Sequence, residues 1–121
     1  MKLEGSRQLV RIFVGEQDRW QGRPLYEAIV DEARALGLAG ATVFKGVMGY
    51  GAKAHVHTAK LLELSYDMPM VVEIVDRAPK VAKLLPRLKA MVADGLVTIE
   101  KARVIVYRAD KATPRSRSRP R

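Results

Sequence analysis

A chain of 121 residues has the length of one domain, and a hydrophobic share of 48% supplies enough material for a core, which excludes disorder throughout. The absence of cysteine excludes disulfides, thiolate catalysis and cysteine-bound zinc. The polar start at Met1–Arg7 and the lack of any membrane-length apolar run lead us to expect a cytoplasmic protein. The net charge of +9 is unevenly spread: residues 111–121, KATPRSRSRPR, hold five basic residues and no acid. We read 1–110 as the folded domain and 111–121 as a disordered basic extension, either a solubilising tail or a contact for RNA, DNA or an acidic membrane surface.

In chain order, Gln8–Gly15 is a strand, with Val10, Ile12 and Val14 alternating with Leu9, Arg11 and Phe13. Glu16–Gly22 reads as a polar loop in which Trp20 covers a core edge. Pro24 opens a helix, where its missing N–H costs nothing, and Leu25, Ile29, Ala33 and Leu36 recur at helical spacing up to a stop at Gly37. Ala41–Val47 is a β-branched and aromatic second strand. The glycine-rich Gly46–Lys53 predicts irregular backbone, and His57–Ser65 fits either a strand continuation or a helical turn.

Met70–Asp76 predicts a third strand, with Asp76 capping the next helix and Pro79 in its first turn. Val81, Leu84, Leu85, Leu88 and Val92 form the buried stripe of that helix, interrupted by Pro86. Asp94-Gly95 ends it, and Leu96–Tyr107 is a long fourth strand. The order βαββαβ predicts an α+β, ferredoxin-like fold: a four-stranded antiparallel sheet with two helices on one face. The first and last strands are apolar on both sides, so the uncovered face should be buried against another copy of the chain. Arg11 and Glu73 are expected to pair on that face.

Two stretches carry a resemblance. The run GLAGATVFKGVMGYGAKAHVHTAKLLELSYDMPMVVEIVD and the later GLVTIEKARVIVYR resemble the PII-like family of unknown function, DUF one-ninety, over Leu9–Arg108. The resemblance implies a trimer related to the PII nitrogen-signalling proteins. In those relatives small ligands such as adenine nucleotides sit between subunits, and a loop after the second strand responds to them. It implies a regulated partner, such as a membrane transporter, and a signalling role without catalysis. No paired-carboxylate or Ser–His–Asp pattern stands out in the residues.

Candidate ligand residues follow. Gly46, Gly49 and Gly51 form G-x-x-G-x-G around Tyr50, between Lys45 and Lys53. Inward-turned amides and two ammonium groups suit an oxyanion or phosphate, while the bland reading is a flexible hairpin with surface lysines. His57 can help hold a phosphate. With His55 it forms H-x-H, which on a strand grips a metal only if a third ligand exists. Lys101 and Arg103 share one strand face, either reaching a ligand across a subunit boundary, as the resemblance implies, or serving as a basic edge against aggregation. Arg108 points to the other face. The rival functional readings are a nucleic-acid accessory protein using the tail, and a metal-ion handling protein.

Overall fold

The computed structural model describes residues 3–51, the backbone of 57 and 58, and residues 67–109. Four long strands make the sheet: β1 (Gly5–Gly15), β4 (Thr42–Lys45), β7 (Pro69–Asp76) and β8 (Leu96–Val104). Two helices, α1 (Leu25–Ala35) and α2 (Ala78–Met91), cover it. Two small ladders complete the described elements: β2 (Arg19–Trp20) with β3 (Arg23–Pro24), and β5 (Met48–Gly49) with β6 (His57–Thr58). The sheet order is β4-β7-β1-β8, with every neighbouring pair antiparallel. This is the ferredoxin-like arrangement that the βαββαβ order predicts.

The two-residue period of β1 sorts its side chains. Val10, Ile12 and Val14 point to the helices with Met70, Val72 and Ile74 of β7, and all six are buried. Leu25, Ala28, Ile29 and Ala33 of α1 and Val81, Leu84, Leu88 and Met91 of α2 close over them. Each fully buried aliphatic side chain of this kind contributes about 1.5–3 kcal/mol relative to exposure. Trp20 packs against the same core, as the sequence predicts. Gly37 ends the α1 turn at φ 82°, a backbone state that an L side chain resists. Pro86 lies inside α2 without ending it.

Asp76 takes a different role from the predicted cap. The N-cap of α2 is Arg77, with no side-chain cap bond. Asp76 is fully buried, and its carboxylate accepts from the Ala39 N–H at 2.9 Å and the Arg77 N–H at 2.7 Å. It therefore fastens the α1–β4 connection to the β7–α2 corner. Three further differences are local. The polar loop after β1 contains the β2–β3 hairpin. The glycine stretch contains a two-residue ladder, with Gly49 opposite His57. The last strand stops at Val104, because β1 begins at Gly5 and offers no partner beyond the Gly5–Val104 pair. No helix of the described residues is long and apolar enough to cross a membrane.

The other face of the sheet carries Leu9, Phe13, Phe44, Val71, Val75 and Leu96 around a charged centre. There the Arg11 Nε donates to Glu73 at 2.8 Å, and an Arg11 terminal nitrogen donates to Glu100 at 2.6 Å. The Arg11–Glu73 pair confirms the sequence expectation, and Glu100 extends it over three strands. The hydrogen bond to Glu73, with the charge of Glu100 adding to it, holds the Arg11 guanidinium above its ordinary pKa.

Candidate ligand site

The glycine segment lines a cleft of about 360 Å³ at one end of the sheet. Strand alternation brings in Phe13 and Val71 from the open face, and the strand ends add Gly15 and Pro69. Gly46, Met48, Gly49, Tyr50 and Gly51 form one wall, and Asp94-Gly95 before β8 forms another. Close approach is tightest against rigid neighbours at two of the lining glycines. A Cβ on Gly46 would lie 2.7 Å from Pro69 Cγ, and one on Gly95 would lie 2.6 Å from the Phe13 carbonyl oxygen. Larger residues there would push the walls apart.

The charged groups in the described lining are all carboxylates: Asp18, Asp67 and Asp94. Two of them are held by backbone amides. Asp18 accepts from the Gly15 N–H at 2.9 Å, and Asp67 accepts from the Gln17 N–H at 2.6 Å. The Gly46 N–H donates to the Pro69 carbonyl at 2.7 Å, so it is already engaged. Within one protomer the cleft therefore offers apolar and aromatic surface with hydrogen-bond acceptors. That surface suits a flat, neutral group with hydroxyl or amino donors better than a bare phosphate.

The predicted ligand residues divide into four groups. Gly46, Gly49, Tyr50 and Gly51 meet in the cleft. Lys45 adjoins it in sequence but pairs with Glu16 at 3.1 Å and does not line it. Lys101 and Arg103 are exposed and lie toward the other end of β8, opposite Gln8 and Ser6. Lys101 stands five positions beyond Leu96, about 17 Å along a strand at roughly 3.3 Å per residue. Lys53, His55 and the side chain of His57 lie outside the described residues, as does the 111–121 tail. Among the described residues no group of three or more His, Cys, Asp or Glu comes together as a metal site.

Sequence reasoning did not name Phe13, Val71, Asp18, Asp67, Pro69 or Gly95 as site residues. The alternation of β1 and β7 already placed Phe13 and Val71 away from the core. Asp18, Asp67 and Asp94 carry no such mark, since a lone aspartate in a loop usually serves only its own turn.

The family model described as "DUF190: Uncharacterized ACR" matches residues 7–104. The chain is 37% identical over 100 residues to a UPF0166 protein of Aquifex aeolicus strain VF5, covering 83% of this chain and 94% of that protein. It superimposes on CPII of Thiomonas intermedia K12, in the structure bound to ADP and bicarbonate, with a TM-score of 0.63 and 17% identity. That match covers 85% of this chain and 91% of the other. A second structure of CPII, a nitrogen regulatory PII-like protein bound to ADP, AMP and bicarbonate, gives a TM-score of 0.61 at 18% identity, with the same coverage. At such identities the likeness to CPII is one of fold. With its family match running from β1 to the end of β8, the chain belongs to the DUF190 family and has a PII-like α+β fold.

Proposed function

We propose that this chain is a cytoplasmic PII-like sensor rather than an enzyme. It binds a small anionic, nucleotide-like ligand in clefts between the subunits of a homotrimer, with an adenine nucleotide as the leading effector. Occupancy is relayed through the Gly46–His57 loop to a partner protein such as a membrane transporter. The observation that carries this reading is the convergence of Gly46, Gly49, Tyr50 and Gly51 with Phe13 and Val71 on one cleft. The ADP in the cognate fold of CPII supports it.

The charge pattern sharpens the reading. The acceptor-rich, apolar cleft takes the base and sugar of the ligand, and the carboxylates beside it repel phosphate. The phosphates therefore need cations from elsewhere. Lys53 of the loop and Lys101 and Arg103 of a neighbouring subunit are the candidates, and Lys45 joins them only by leaving Glu16. A ligand bridging these groups favours one conformation of the loop over others, and that differential affinity is the signal.

Calorimetric titration of the full-length chain with ADP, ATP and AMP tests this. Saturable heat from at least one nucleotide is expected. Replacing Lys101 and Arg103 together by Ala should weaken binding by about tenfold or more, as loss of charge-assisted hydrogen bonds does. No heat from any of the three nucleotides would overturn the reading.

A further inference from the structure

The molecule is polarised by charge along β1. At the Gly15 end lie the cleft and its carboxylates, Asp18, Asp67 and Asp94. At the Gly5 end cations gather around the turn that leaves α1. The Gly37 N–H donates to the Arg34 carbonyl at 3.0 Å. The Lys80 ammonium lies 3.0 Å from where a Cβ on Gly37 would stand. The Ala39 N–H donates to Asp76, the neighbour of Arg77, and the Ala39 carbonyl accepts from Tyr107, the neighbour of Arg108. Arg34, Arg77, Lys80 and Arg108 are thus brought to one end of the molecule by α1, α2 and the stretch after β8. Lys101 and Arg103, assigned above to the nucleotide, are not among them.

Little opposes these charges. No ion pair among the described residues engages any of the four. The Nε of Arg77 is buried without a hydrogen-bond partner among those residues. Asp76 is fully buried, and both its oxygens are taken by backbone amides. Glu4 accepts from the Tyr107 N–H and has the Arg7 guanidinium on its carbonyl at 2.7 Å. Asp31 and Glu32 of α1 pair with Arg23 and Arg87. Cations held together by the fold and left uncompensated attract an anion that spans them.

The basic end of the sequence departs from the same place. After Ala109 and Asp110, residues 111–121 follow Arg108 with five basic residues and no acid. Arginine predominates in both groups, and its planar fork matches phosphate oxygens. Residues 111–121 hold no large apolar side chain, so they lack the second signal that stable membrane anchoring takes.

We infer that this basic end binds the phosphodiester backbone of nucleic acid, with Arg34, Arg77, Lys80 and Arg108 of the folded domain contacting phosphates beside those held by the basic residues of 111–121. The inference goes beyond the cleft reading, since the two sites lie at opposite ends of β1 and neither needs the other. Such contacts carry charge and no base readout, so binding is indifferent to sequence.

Fluorescence anisotropy of the full-length protein with short labelled single-stranded RNA and duplex DNA tests it. Between about 50 and 200 mM salt the affinity should fall by about a thousandfold or more. Replacing Arg34, Arg77 and Lys80 together by Gln, with 111–121 intact, should weaken low-salt binding by about tenfold or more and lower the slope of log affinity against log salt by about 2–3 on duplex DNA. Arg77 is half-buried, so thermal unfolding accompanies that variant, and Arg34→Glu with Arg108→Glu, both exposed, repeats the test at sites that cannot disturb the core. Tighter binding of RNA or of DNA names the source of the phosphates, and either supports the inference. No binding of the wild-type chain to either, wild-type affinity in both variants, or tighter binding to phosphatidylserine vesicles than to both nucleic acids overturns it.

Discussion

The two faces of β1 are built from neighbouring residues and meet opposite fates. Val10, Ile12 and Val14 are sealed under α1 and α2, while Leu9, Arg11 and Phe13 face away from any helix. The covered face is purely aliphatic and completed within one chain. The open face mixes aliphatic and aromatic groups with a charged bridge, and no helix among the described residues covers it. The buried packing of the protomer therefore lies on one side of the strand, and the proposed assembly would use the other.

Substitutions at matched depth separate the two. Ile12→Ala, in the fully buried layer, should cost about 3 kcal/mol by removing methyl groups that nothing nearby replaces. Chemical denaturation would show it as a lowered midpoint with an unchanged slope. Asp76→Ala should cost about 2 kcal/mol, since it leaves two amides at a buried corner without their shared acceptor. If Asp76 were a simple helix cap, Asp76→Ser would restore most of that loss. The structure predicts instead that Ser, with one oxygen for two amides, restores little. Leu9→Ala, on the open face, should cost about 1 kcal/mol or less in the same assay at high dilution. Its larger effect should appear as weakened self-association. A Leu9 cost equal to that of Ile12 would abolish the distinction between the faces.

Much of the fold is legible in the sequence because single-segment periodicity encodes it. The alternation in β1 and β7 and the stripes of α1 and α2 each follow from one stretch of chain read alone. What escapes such reading depends on residues distant in sequence. Where β8 ends is decided by where β1 begins, so Ile105–Tyr107, with every local mark of a strand, has no strand partner among the described residues. Asp76 has the look of a helix cap, but Ala39, 37 positions away, claims its carboxylate. The β2–β3 hairpin is too short for two residues per strand to show a period.

The candidate site divides in the same way. The glycine segment announces itself by composition, and the structure places four of its named residues in one cleft. The acidic side chains opposite come from three separate connecting segments, and no motif links them. Their effect is to change what the cleft is suited to hold. The glycines suggest an oxyanion nest, whereas the assembled walls offer acceptors and apolar surface, which moves the phosphates of the proposed ligand outward.

Methyl-detected NMR of the full-length protein titrated with ADP tests the proposed cleft most directly. The methyl signals of Met48 and Val71, on the cleft walls, should shift with saturation while those of Ile74 and Leu84 in the covered core stay still. Saturable binding that moves core or remote methyls and leaves Met48 and Val71 unmoved would contradict it.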